Sequence, residues 1–279
     1  MGKNVSKLYY PIKASIESIL PICDEFIVAL GDSDEDDTTR EEILRIDSDK
    51  IRIIDTVWDL EKYSRGTENA HQTDLAKQEC SGDWLFYLQA DEVIHEKYLS
   101  VVEEYCRNYL DDQRVEGFLF NYKHFWGDYD HYFNSMGWYG KEIRVVRNHQ
   151  DIHSFWSAQS FRRIPNFDYV DYRNKTGTFK LNVIKIPATI YHYGWVRPPE
   201  FMMSKKKSLD IIHHGKAATE AKYLTEDTGF DYGPMGNIPI FQGTHPRVMA
   251  DWIANFNWQD VLYDDGPIRT RSYKFQHEK

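Results

Sequence analysis

The chain has 279 residues, 41% hydrophobic and 28% charged, enough apolar material for a folded core and too much for a disordered chain. Its 34 Lys and Arg against 44 Asp and Glu leave a formal charge of −10, which argues against nucleic acid and anionic membrane as partners. No stretch reaches the roughly 18 uninterrupted apolar residues of a membrane span, and MGKNVSKLYY has no apolar run after its lysines, so the sequence reads as cytoplasmic.

In chain order, Ile12, Ile16, Ile19 and Leu20 share one helical face, and EFIVAL at 25–30 reads as a buried strand. An acidic turn, GDSDEDDT, follows, and Thr39-x-x-Glu42 has the form of a capping box opening a second helix. IRII at 51–54 predicts a second strand, residues 67–80 a helix, and WLFYL at 84–88 a third strand. Leu99, Val102, Cys106 and Tyr109 line another helix, and GFLF at 117–120 predicts a fourth strand. This alternation predicts an α/β fold with a mostly parallel sheet, helices on both faces, and ligands outside the carboxyl ends of the strands.

After residue 121 the pattern changes to NYKHFWGDYDHYFNSMGWYGKE, aromatic, polar and aperiodic. IRVVR at 143–147 and the run from Phe179 to Tyr191 predict strands. PEFMMSKKKSLDIIHH at 199–214 predicts a helix with a basic exposed face, and a last helix is expected around 246–256. Residues 121–279 read as an α+β extension of the sheet begun in 1–120, within one domain. Cys23, Cys80 and Cys106 are widely spaced, form no CxxC pair, and read as reduced buried thiols.

Four segments carry chemistry. In WLFYLQADEVIHE, Asp91 and Glu92 follow an apolar strand at once, at the end where carboxylates hold a hard divalent cation or cap the next helix. In GDSDEDDT, Asp32 and Asp34 suit a ribose hydroxyl or a base N–H, or a solvated helix cap. In SRGTENAHQTDLA, Arg65 suits a phosphate and Gly66 lets a ligand approach closely; a glycine before a helix is also common. In YHYGWVRPPE, His192 suits an oxygen-rich manganese site or a structural role, and Arg197 a ligand or the surface.

Taken in order, EFIVALGDSDEDDT and SRGTENAHQTDLAKQECSGDWLFYLQADE resemble the nucleotide-binding half of family 2 glycosyltransferases with the GT-A fold. GDWLFYLQADE is similar to that family's strand leading into its aspartate-x-aspartate metal motif. YHYGWVRPPEFMMSKKKS is similar to the later histidine segment of a bacterial branch. The resemblance spans roughly residues 4–215. It implies a nucleotide-sugar donor, a glycan or lipid-linked acceptor, and Mn2+ or Mg2+ as cofactor. Asp32, with Asp34, would contact the nucleoside; Arg65, Gly66 and Gln89 would lie near the donor; Asp91 and His192 would bind the metal. Gln89 stands at the motif's first aspartate and brings no charge. Inversion of the anomeric centre would use a carboxylate base, for which Glu142 is the first choice among Glu142, Asp128 and Asp151.

The resemblance also implies a first strand ending in an arginine-asparagine pair. MGKNVSK aligns with its end, so nearly all of that strand is missing here; either it lies upstream, the favoured reading, or another segment or another subunit fills its place. A neighbouring strand would then have unpaired backbone groups. Two other readings are a degenerate nucleotide- or glycan-binding module, favoured by Gln89, and a nucleotidyltransferase. The second needs a Gly-rich phosphate loop with a lysine near the N-terminus, which the sequence lacks.

Overall fold

The structure, a computed structural model, describes residues 2–133, 138–224 and 229–264. The first half runs α1 (Ile12–Ile19), β1 (Phe26–Leu30), α2 (Thr39–Leu44), β2 (Ile51–Asp55), α3 (Thr67–Gln78), β3 (Trp84–Phe86), β4 (Glu92–Ile94) and α4 (Leu99–Asn108). The second half runs β5 (Gly117–Trp126), β6 (Tyr132–Phe133), β7 (Lys141–Arg147), β8 (Ile152–Phe155), β9 (Ser160–Arg163), β10 (Phe179–Lys180), β11 (Val183–Trp195), α5 (Pro199–His214), α6 (Lys216–Tyr223) and α7 (Ala250–Ala254). Among the described residues no helix is long and apolar enough to cross a membrane.

The fold is mixed α/β, but the expectation of a mostly parallel sheet needs correction. β1 and β2 pair in parallel as a two-stranded sheet, whereas the main sheet has the order β3-β7-β5-β11-β4. In it only β5 and β11 pair in parallel; β3–β7, β7–β5 and β11–β4 are antiparallel. The physical cause is the return of the chain after β5. β7 folds back along β5 and inserts between it and β3, so two strands of the same sense are separated by one of opposite sense. β3, β5 and β11 thus still run one way.

Both faces of the main sheet carry helices, though the face opposite α4 does so only at one end, where Phe125 and Tyr191 pack against Trp252 and Ile253 of α7. One face carries Phe118, Phe120, Val145, Ile186 and Ile190 under Val102, Tyr105 and Cys106 of α4. The other carries Ile143, Val146, Leu119 and Val183, packed with Ile152 of β8 and Phe161 of β9. A three-stranded antiparallel sheet, β10-β9-β8, supplies that second layer.

Local expectations are met at α1, where Ile12, Ile16 and Ile19 are buried. The capping box is not formed. Thr39 is buried within the first turn of α2 and its Oγ1 accepts from Ser6 N–H at 3.0 Å, while Glu42 accepts from Thr38 Oγ1 at 3.3 Å. The three cysteines are free and half-buried, and burial pushes Cys23 and Cys106 up to about 12 and Cys80 to about 11.

β1 and β3 present facing edges without joining. Phe26 N–H donates to Lys50 O beside β2, so alternation turns the backbone groups of Ile27 and Ala29 the other way. There Gly2 makes one parallel bridge opposite Leu30: Gly2 N donates to Ala29 O at 3.0 Å and Gly31 N to Gly2 O at 2.7 Å. On β3, Asn148 N–H donates to Asp83 O and Tyr87 N–H to Arg144 O, so Trp84 and Phe86 turn their backbone groups away from β7. Between the two edges lies a cavity of about 420 Å³ lined by Ile27, Val28, Trp84, Phe86, Leu88 and, from α1, Ile16. Close-packed interiors hold few voids larger than a water molecule, so this slot is an exception in the core.

Candidate functional site

Two strands neighbour the middle of β11. Across β5 the register sets His192 opposite His124, and across β4 it sets His192 opposite Glu92. Tyr193 N–H donates to Asp91 O at 2.8 Å, which fixes Asp91 beside the same stretch. The sequence pair Asp91 and His192 is thereby brought together, His192 Nε2 lying 3.5 Å from Asp91 Oδ2.

His124 completes a relay the sequence did not disclose. Its Nε2 is 2.8 Å from Tyr139 O, a carbonyl that can only accept, so Nε2 carries the hydrogen. Its Nδ1 therefore accepts from His192 Nδ1 at 3.0 Å, which leaves His192 Nε2 for Asp91. Burial, with the His192 charge second, pushes His124 down to about 3, consistent with a neutral ring between two neighbours.

Lys205 of α5 enters the same cluster. Its Nζ lies 3.2 Å from Asp91 Oδ2 and 2.5 Å from Gly194 O, with the Trp195 ring at 4.8 Å and the Tyr10 ring at 5.1 Å. The expected basic exposed face of the helix holds at Lys207 and fails at Lys205. Lys205 is 4% exposed because it lies one turn from the buried Met202, on the inward face. Arg197, also weighed as a surface charge, is 0% exposed. Burial raises the Asp91 carboxyl, but Lys205, His192 and Arg197 outweigh it and hold the group well below the usual carboxylate range. Burial, then Arg197, pulls Lys205 down to about 7, with Asp91 opposing. We read the pair as ionic.

Gly194 is where these groups converge. A Cβ there would overlap Asp91 Oδ2 and lie 2.6 Å from Lys205 Nζ and 2.7 Å from His192 Nε2. Only a residue without a side chain leaves this space.

Glu92 has another role. Arg144 of β7 grips it with two bonds, Nε to Oε2 and Nη2 to Oε1, each 2.8 Å, and Tyr122 OH donates to Oε1 at 2.9 Å. Both partners are buried, so Glu92 anchors the strand that follows Asp91 and is not free for a ligand. Glu142 lies two residues before Arg144, on the same face of β7. Burial pushes its carboxyl up to about 7, Arg144 opposing and Glu92 adding. Across β5 Glu142 stands opposite Phe120, four residues before His124 on that strand.

The remaining sequence candidates are held by other contacts. Gln89 Nε2 donates to Tyr87 OH at 3.3 Å and Ala158 O at 3.4 Å. Asp32 pairs with Lys3 at 2.8 Å and accepts from Trp58 N–H at 2.9 Å; Asp34 pairs with Lys7 at 2.7 Å. Gly66, at φ +86°, donates to Ile212 O, and a Cβ on it would lie 2.5 Å from His213, so its openness serves the docking of α5. Arg65 O accepts from Arg173 Nη1 at 3.0 Å. Asp128 accepts from Asp130 N, His131 N and His131 Nδ1 within its own turn, and Asp151 N donates to His149.

Of the residues the resemblance assigns to a divalent ion and the donor, Asp91 and His192 lie together and Gln89 is turned elsewhere. Among the described residues no group of three or more His, Cys, Asp or Glu could hold a metal ion. An ion on Asp91 would also come within about 5 Å of the Lys205 ammonium. At an effective dielectric of 20 a dication at that distance is repelled by about 7 kcal/mol. Compared with known proteins, the chain matches no family model and no curated protein sequence.

Proposed function

We propose that the chain is an inverting glycosyltransferase acting in the cytoplasm, which moves a sugar from a nucleoside-diphosphate donor to a hydroxyl of a glycan or lipid-linked acceptor. The observation that carries this reading is the place of Glu142, opposite Phe120 of β5 and two residues from the Arg144 that grips Glu92, where burial raises its carboxyl to about 7. A base of that basicity takes a proton from a hydroxyl near neutral pH. As it does so, the acceptor oxygen bonds to the anomeric carbon and the bond from that carbon to the diphosphate breaks. The nucleoside diphosphate leaves with the electron pair, and Glu142 holds the proton. The order of the motifs in the sequence supports the same assignment.

The test is release of nucleoside diphosphate from a panel of uridine-, guanosine- and thymidine-diphosphate sugars. Wild type is expected to turn over at least one donor, and Glu142→Gln to lower the rate about 10²–10⁴-fold while keeping nucleotide affinity. Binding without turnover in wild type would favour a binding module, the reading that Gln89 suggests. Neither binding nor turnover would remove both readings.

A further inference from the structure

Resting on the donor reading above, we propose that Lys205 is the cation of the donor site: its ammonium meets the diphosphate where a divalent ion would otherwise do so, and donor binding needs no metal. Lys205 Nζ lies 3.2 Å from Oδ2 of Asp91, the carboxylate to which the resemblance assigns the metal, and Gly194 O anchors it from a second side at 2.5 Å. An ammonium has three hydrogens, and these two acceptors use two of them.

Arg197 is an independent sign that an anion belongs here. Its guanidinium is 0% exposed and lies 4.4 Å over the Tyr10 ring. Nη1 donates to Leu8 O, while among the described residues Nε and Nη2 have no acceptor at hydrogen-bond geometry and only the Tyr10 side chain for company. Buried donors without acceptors are costly and rare. The charges point the same way: Lys205 and Arg197 face the single carboxylate of Asp91, which leaves a positive surplus in a site sheltered from water. A diphosphate supplies both the negative charge and the acceptor oxygens. Leu8 O on Arg197 and the Tyr10 ring over both cations are the contacts a phosphate would have to replace.

Calorimetric titration with uridine, guanosine and thymidine diphosphates, each in EDTA and in Mn2+, tests the assignment. In wild type the best nucleotide is expected to bind with affinities within about twofold in the two conditions. Lys205→Met is expected to lose at least tenfold in EDTA and to regain affinity in Mn2+, because Asp91 is then free to hold the ion. Lys205→Arg, which keeps the charge, is expected to bind in EDTA. Wild-type binding that depends on Mn2+ would overturn the role of Lys205 and leave the transferase reading standing. Lys205→Met binding in EDTA as tightly as wild type would do the same. Absence of binding by any of the three nucleotides in either condition would overturn both. The wild-type comparison decides the matter even where Lys205→Met does not fold.

Discussion

Ala90 and Asp91 are neighbours in the chain and stand in opposite surroundings. Ala90 lines the apolar slot between β1 and β3, where backbone edges face an opening of about 420 Å³. Asp91 sits in a packed ionic cluster in which even a methyl group on Gly194 has no room. The contrast teaches where each kind of stability comes from. The cluster is held by charge and hydrogen bonds whose partners come from β4, β5, β7, β11 and α5. The slot is held open by the elements around it and contributes no packing of its own. Damage to the cluster therefore costs stability, whereas filling the slot adds it.

The largest expected loss comes from Arg144→Ala. Removing one partner of a buried pair leaves Glu92 charged and uncompensated, which costs about 3–5 kcal/mol. Urea unfolding measures it, and replacement of both partners by apolar residues of similar volume is expected to cost much less. A loss under about 1 kcal/mol for the single change would mean that Glu92 is solvated and that the cluster is not closed. Next is Gly194→Ala. Its methyl group must push aside Asp91, Lys205 and His192 together, and overpacking of this kind costs about 1–3 kcal/mol. A neutral result would show that the three groups are not held in place.

The slot carries the opposite sign. An N-terminal extension of about six Val and Ile residues, a strand's length, continues the Gly2–Leu30 register back along β1. Its expected gain is about 2 kcal/mol, the surplus of apolar burial over the cost of ordering the strand. A Gly/Ser extension of the same length serves as control and is expected to give none. Equal melting of the two extended proteins would show that the slot does not accept a strand. The smallest effect concerns Glu142. Its folded value, about 7, lies above the ordinary 4.5, so the folded chain binds this proton more tightly than the unfolded chain. That contribution is present below pH 4.5 and is lost as pH rises through about 7. Glu142→Gln is therefore expected to gain about 1 kcal/mol at pH 8 relative to wild type and nothing at pH 4. A gain that does not depend on pH would place its origin elsewhere than the charge.

Most of the order of helices and strands from α1 to β5 was readable because it rests on local periodicity; β4, three residues long, is too short to show any. Sheet direction was not, because nothing in IRVVR says that β7 slips between β3 and β5 instead of adding at an edge. Asp91 and His192 stood out as polar residues at the ends of apolar runs. The partners of His192, Glu92 and Asp91 did not, since His124, Arg144 and Lys205 reach them through register and helix docking across 68, 52 and 114 residues of sequence. Weak signals existed: a histidine inside the aromatic run NYKHFW, and a lysine three residues after Met202 on the apolar side of α5. Arg65 and Gly66 show the converse, a glycine whose conformation is needed but whose open space is taken by His213.

The central claim is that Glu142 acts as the base of a glycosyl transfer, and the pH–rate profile of donor turnover tests it most directly. With its carboxyl raised to about 7, kcat/KM is expected to rise with pH and to level off above an apparent pKa near that value. Glu142→Gln is expected to abolish this acidic limb along with most of the rate. A profile that is flat between pH 5 and pH 9, or an acidic limb that survives in Glu142→Gln, would contradict it.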